Sequence, residues 1–140
     1  MANYNPMIRT SYFKPRDAEA FEHFCRRYGL VKIEDTQGGE KLVGFYVDNG
    51  EGIPTYVCVE ETDECEEVDP GAFLDELARH LAPEWAVEVR EIGFEKMRYL
   101  VGVSTVVRWD GETHTLSLDE IEERVRKEWG DEFHLTTCAY

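Results

Sequence analysis

Residues 85–118, WAVEVREIGFEKMRYLVGVSTVVRWDGETHTLSL, decide the fold class. Residues 85–92 alternate, with Trp85, Val87 and Val89 on one side and Ala86, Glu88 and Arg90 on the other. That two-residue period is the mark of a strand with one buried face. Residues 98–109 form the longest β-rich run, dense in Val, Thr, Tyr and Trp, which suit a pleated surface. Asp110-Gly111 then forms a two-residue hairpin signal, because glycine accepts the positive φ such turns require. The chain returns through residues 113–118. Strands joined by tight turns pair antiparallel.

Working outward, three helix starts punctuate the strands. Asp17 precedes Phe21, Phe24, Cys25 and Tyr28, spaced i, i+3, i+4, i+7, and Gly29 follows. This predicts a helix with an aspartate N-cap, one apolar face and a glycine stop. Asp69-Pro70 opens a second helix, with Phe73, Leu74, Leu77, Ala78 and Leu81 inward and Pro83 as its end. Ser117 and Glu120 fit a capping box for a third, carrying a stripe of Ile121, Val125 and Trp129 before Gly130. Residues 8–13 and 55–60 read as further strands. Residues 30–34 and 42–47 read as a hairpin across Gln37-Gly38-Gly39.

The expected architecture is therefore a single α+β domain over residues 1–140. It has an antiparallel sheet with helices on one face and the element order βαββ-βαββ-βα. Asp17 to Phe21 can be laid over Asp69 to Phe73, and Leu42-Val43-Gly44 over Leu100-Val101-Gly102. These matches raise an internal duplication of two βαββ units.

The charge is placed as unevenly as the elements are regular. The 140 residues carry 30 acidic and 15 basic side chains, a net of −15. Residues 1–41 hold seven Lys/Arg and six Asp/Glu, so the excess lies downstream. Residues 48–76 hold eleven carboxylates and no Lys or Arg. Such a run resists burial and is expected in an exposed loop or a ragged strand end. The total argues against direct binding to nucleic acid or an anionic membrane, since both recruit cations. No apolar run reaches the length of a membrane-spanning helix. The N-terminal segment lacks the apolar core of a secretory signal, so a cytoplasmic workplace is expected.

Reactive groups are sparse. Cys25 lies on the apolar face of the first helix and reads as a small core residue. Without a secretory signal a disulfide framework is not expected. Cys58 and Cys65 fit no common zinc spacing. A mixed site from Cys58, Cys65, His134 and Cys138 is conceivable, and a merely packed tail is the simpler reading. His23 and His80 read as surface helix residues. Glu88, Glu91 and Glu95 raise a carboxylate pair, against which ion pairing of Glu88 with Arg90 is the simpler account. Tyr4, Tyr12, Phe13, Tyr46, Tyr56, Tyr99 and Trp109 suggest a stacking platform or core rings. The cations that a platform needs, Arg9, Lys14, Arg16, Arg26, Arg27 and Lys32, lie near the first helix. No catalytic residue, metal site or cofactor is assigned, and no enzyme activity is expected.

Arg9-Thr10-Ser11-Tyr12-Phe13-Lys14 leading into Asp17 and Phe21 resembles the opening of small acidic proteins encoded by bacteriophages and plasmids. Pro54-Thr55-Tyr56, residues 95–102 and Leu118-Asp119-Glu120-Ile121 extend the resemblance. In size and charge such proteins resemble anti-CRISPR and anti-restriction inhibitors. The resemblance implies origin in a mobile element and a cytoplasmic workplace, and together with the acidic run over residues 48–76 it leads to the expectation of a non-enzymatic inhibitor. Its acidic surface would compete for a basic site on a nucleic-acid-binding defence complex. The contact surface would be Glu60, Glu61, Asp63, Glu64, Glu66 and Glu67, supported by Asp69, Asp75 and Glu76. Two alternatives stand beside it. One is a protein-interaction module that binds through its open sheet face, with Tyr56, Tyr99 or Trp109 in contact and acidity serving solubility. The other is a small enzyme with a carboxylate or Cys/His site. The oligomeric state is open, a dimer being one option.

Overall fold

The computed structural model describes residues 4–47, 52–54, 56–58, 64–95 and 99–136. In chain order the elements are β1 (Tyr4–Thr10), α1 (Ala18–Tyr28), β2 (Val31–Gln37), β3 (Glu40–Val47), β4 (Tyr56–Cys58), β5 (Cys65–Glu67), α2 (Pro70–Arg79), β6 (Ala86–Glu95), β7 (Tyr99–Arg108) and β8 (Thr113–Ser117). A 3-10 turn (Leu118–Glu120) then leads into α3 (Ile121–Trp129). Six strands form one sheet in the order β2-β3-β1-β6-β7-β8, and β4 pairs only with β5. Every pairing is antiparallel. The α+β class with an antiparallel sheet is as the sequence predicts. The strand that would open a second βαββ unit is β4, and it lies outside the main sheet. β8 occupies the place beside β7 instead.

The helices form where their caps place them. The Asp17 carboxylate accepts from the Glu19 and Ala20 amides, and Gly29 closes α1 at φ 68°. The Asp69 carboxylate accepts from the Ala72 amide, with Pro70 in the first turn of α2. α2 stops at Arg79, ahead of the predicted Pro83, so Leu81 leaves the helix and bridges Pro15 while staying fully buried. Gln37 and Glu40 pair across Gly38-Gly39, both at positive φ, which gives the β2–β3 hairpin its two-residue turn. The turn after β7 is longer than Asp110-Gly111 alone, because the Arg108 amide donates to the Glu112 carbonyl.

Strand alternation divides the sheet into two faces. Ile8, Val87, Val89 and Val107 point to one face and join Phe21, Phe24, Phe73 and Leu77 in the buried core. The aromatic side chains pack edge-on and stacked. Phe24 lies 5.6 Å from Phe73, and Tyr28 lies 4.9 Å from Phe73. Burying such rings is the main source of stability for a domain of this size. α1 and α2 cover this face. α3 does not join them: it packs chiefly on its own 3-10 turn and buries none of its residues. Ile121 and Trp129 are 59% and 68% exposed. The predicted stripe exists as a face of the helix, and among the described residues it meets no helix or sheet layer, Trp129 lying edge-on to Phe133 at 5.7 Å.

Candidate interaction surfaces

The acidic residues selected from the sequence separate into three groups. Glu60, Glu61 and Asp63 lie outside the described residues. Glu64, Glu66, Glu67 and Asp75 are exposed, the first three at or just before β5. Among the described residues Glu66, Glu67 and Asp75 enter no ion pair. Asp69 and Glu76 have structural work. Asp69 caps α2. Glu76 pairs with Arg27 at 3.4 Å, with its side chain three-quarters covered. Burial and the Glu76 carboxylate beside it push the Tyr28 hydroxyl up to about 12.

Cys58 and Cys65 form a disulfide across the β4–β5 hairpin, where they are register partners. This corrects the expectation that the cysteines form no disulfide. Compartment arguments weigh the stability of disulfides in general, whereas this pair is brought together by strand pairing, with Cα atoms 4.0 Å apart. With both sulfurs joined, neither is a thiolate ligand, so the mixed metal site does not form. Its fourth member, Cys138, lies outside the described residues. Cys25 is buried as predicted, and desolvation pushes its thiol up to about 12.

His80 is a second correction. It is half-buried at the end of α2, its ring 4.7 Å from that of Phe24, and burial lowers its pKa. Glu88 pairs with Arg90 at 2.6 Å and accepts from the Ser104 hydroxyl, which together hold its pKa down. Glu91 lies on the opposite face of β6 from Glu88, so these two carboxylates do not converge. Among the rings considered for stacking, Phe13 is fully buried and Tyr12 and Tyr46 are half-buried. Trp109 is exposed in the turn after β7. The side chains of Tyr4, Tyr56 and Tyr99 lie outside the described set. Of the predicted cations, Lys14, Arg26, Arg27 and Lys32 are each paired with a glutamate. Arg16 donates to the Leu81 carbonyl. Among the described residues Arg9 donates to the Tyr12 hydroxyl, at 3.4 Å, and to no carboxylate.

The surface that the sequence reading described least is the sheet face turned away from α1 and α2. The register places Met7, Ile92 and Gly102 side by side on β1, β6 and β7, with Phe94 beside Leu100 in the next row. Met7 is 71% and Ile92 60% exposed, and Phe94, Leu100 and Leu116 also lie open. Leu118, in the 3-10 turn, folds over Gly102 at the margin of this patch. A shallow cleft of about 340 Å³ runs between Ile92, Gly102, Leu116 and Leu118. The signal for the patch lay in β6 itself. Beyond Arg90 the outward positions turn apolar, at Ile92 and Phe94, where a solvated face would carry polar residues.

Along β1, β6, β7 and β8 the outward positions carry Arg9, Arg90 and Arg108 with Glu88; Arg108 is paired with Asp110 and Glu112 in the following turn, and Arg90 with Glu88. The whole chain has two carboxylates per cation. Among the described residues no helix is long and apolar enough to cross a membrane, and no cluster of His, Cys, Asp and Glu is arranged to hold a metal. Comparison with protein-family models, with curated proteins and with solved structures found no match.

Proposed function

We propose that this chain is a non-enzymatic protein-interaction module of a mobile element, and that it binds through the open face of its sheet. One observation carries the reading. Large apolar side chains, Met7, Ile92, Phe94, Leu100 and Leu116, stand exposed on the same face of four adjacent strands, Met7 beside Ile92 and Phe94 beside Leu100. Contiguous exposed apolar surface of this kind marks a binding site more often than chance. The acidity of the rest of the molecule then keeps a chain with such a patch soluble.

A second reading has its own observation. Glu66 and Glu67 are exposed, without ion pairs among the described residues, on a hairpin closed by the Cys58–Cys65 disulfide. Fixed carboxylates on a short hairpin suit a basic, nucleic-acid-binding site on a host defence complex, in the manner of an anti-CRISPR or anti-restriction inhibitor. Affinity capture from host lysate separates the two, using wild type, Ile92→Asp and Glu66→Lys/Glu67→Lys as baits. On the open-face reading Ile92→Asp loses the captured protein and the hairpin variant keeps it at high salt. The reverse pattern, with capture abolished by salt, supports the acidic inhibitor and removes the first reading.

A further inference from the structure

The open face is not uniformly apolar, and its polar corner has a definite chemistry. Arg9 and Arg90 are direct cross-strand partners on β1 and β6. Like charges so placed destabilise a sheet unless something answers them. Glu88 answers Arg90, at 2.6 Å, and its other contact is the Ser104 hydroxyl. Arg9 has no carboxylate partner among the described residues. A second cleft, of about 230 Å³, opens between Arg9, Ser11, Glu88 and Arg90. It shares Arg90 with the apolar cleft at Ile92, Leu116 and Leu118. An apolar hollow and a cationic hollow therefore adjoin on one surface.

We propose that this paired surface recognises a protein segment in which an apolar side chain stands close to a carboxylate. The apolar group enters the cleft at Ile92, Leu116 and Leu118, and the carboxylate meets the guanidiniums of Arg9 and Arg90. The inference rests on the reading of the open face as the binding surface. Charge complementarity identifies the occupant. At this corner Arg9 and Arg90 face the single carboxylate Glu88, so one guanidinium is left without a carboxylate among the described residues, and an acidic group matches it where a basic one does not. Guanidinium is suited to it, since its planar fork takes a carboxylate through two parallel hydrogen bonds.

The test is selection of a random peptide library on the immobilised full chain, followed by fluorescence anisotropy of the enriched peptides. Enriched peptides should pair an aliphatic or aromatic residue with Asp or Glu. Arg9→Gln/Arg90→Gln should weaken them about tenfold or more, and so should Ile92→Asp, while Glu66→Lys/Glu67→Lys leaves them unchanged. All the altered residues are exposed, and unchanged melting confirms that the variants are folded. Binding lost with Ile92→Asp but indifferent to the arginine pair overturns this inference and leaves the open-face reading standing. Binding indifferent to both, enrichment of basic peptides, or no enrichment overturns both. Sedimentation of the same chain completes the test: a dimer that Ile92→Asp dissociates assigns the face to a second copy and overturns the proposal.

Discussion

Asp69 belongs to the acidic run by sequence and to α2 by function. Its carboxylate accepts from the Ala72 amide at 2.9 Å, satisfying a helix donor that otherwise has no partner. Asp69→Ala should lower stability by about 1 kcal/mol in urea denaturation, and Asp69→Asn should restore most of it. Rescue by Asn separates capping from charge, because Asn accepts the same hydrogen bond without the negative charge.

His80 makes the fold sensitive to acid. Burial against Phe24 lowers its pKa below the usual 6.5, with Arg27 acting in the same direction and Glu76 and Asp17 opposing. The unfolded chain therefore binds a proton that the fold resists. The contribution is fully present above about pH 6.5 and is lost as pH falls through the lowered folded value. Stability measured by denaturant should fall below neutrality, and His80→Gln should flatten that part of the profile.

Two glycines give opposite expectations. A Cβ on Gly44 would stand 2.8 Å from Thr10 Oγ1 and 2.9 Å from the Ser11 carbonyl. Thr10 Oγ1 already accepts from the Phe45 amide, so β1 and β3 would have to part. Gly44→Ala should cost about 2 kcal/mol or more. Gly102→Ala meets only the side chain of Leu118. That side chain can swing away at the exposed margin, so the cost should be less than about 1 kcal/mol. Thermal unfolding of the two variants side by side tests the difference.

At the scale of elements, the disulfide closes a hairpin with a sequence separation of seven. Cys58→Ser/Cys65→Ser should destabilise the chain by about 2 kcal/mol at most, seen as a lower melting temperature under oxidising conditions and none under reduction. The cysteines were legible in the sequence but their pairing was not, since the register of β4 on β5 is a tertiary fact. α1 and α2 were legible because cap, apolar phase and stop agree at Asp17, Phe21 and Gly29, and again at Asp69 and Phe73. β6 was legible as far as residue 92. Beyond it Gly93 and Phe94 end the clean alternation, and the apolar outward positions merge into what reads as continuous β-rich sequence. α3 shows the limit of periodicity. It identifies Ile121, Val125 and Trp129 as one face but carries no information on whether another layer meets that face.

At the scale of the whole molecule, the clustering of charge along the chain was legible, and the meeting of Arg9 and Arg90 on one sheet face was not. Arg9 and Arg90 come from distant parts of the sequence and meet only through the β1–β6 register. The same register gathers Met7, Ile92 and Gly102. The acidic run, by contrast, lost members once placed, since Asp69 caps α2 at the surface and Glu76 pairs with Arg27. The outcome is an acidic chain whose open sheet face carries an apolar patch beside Arg9 and Arg90. Side-chain footprinting by hydroxyl radicals, on the captured complex and on the free chain, tests this most directly. Met7, Ile92, Phe94 and Leu116 should lose reactivity in the complex while the β4–β5 hairpin keeps it. Unchanged reactivity at those four residues, with protection at the hairpin, would contradict the account.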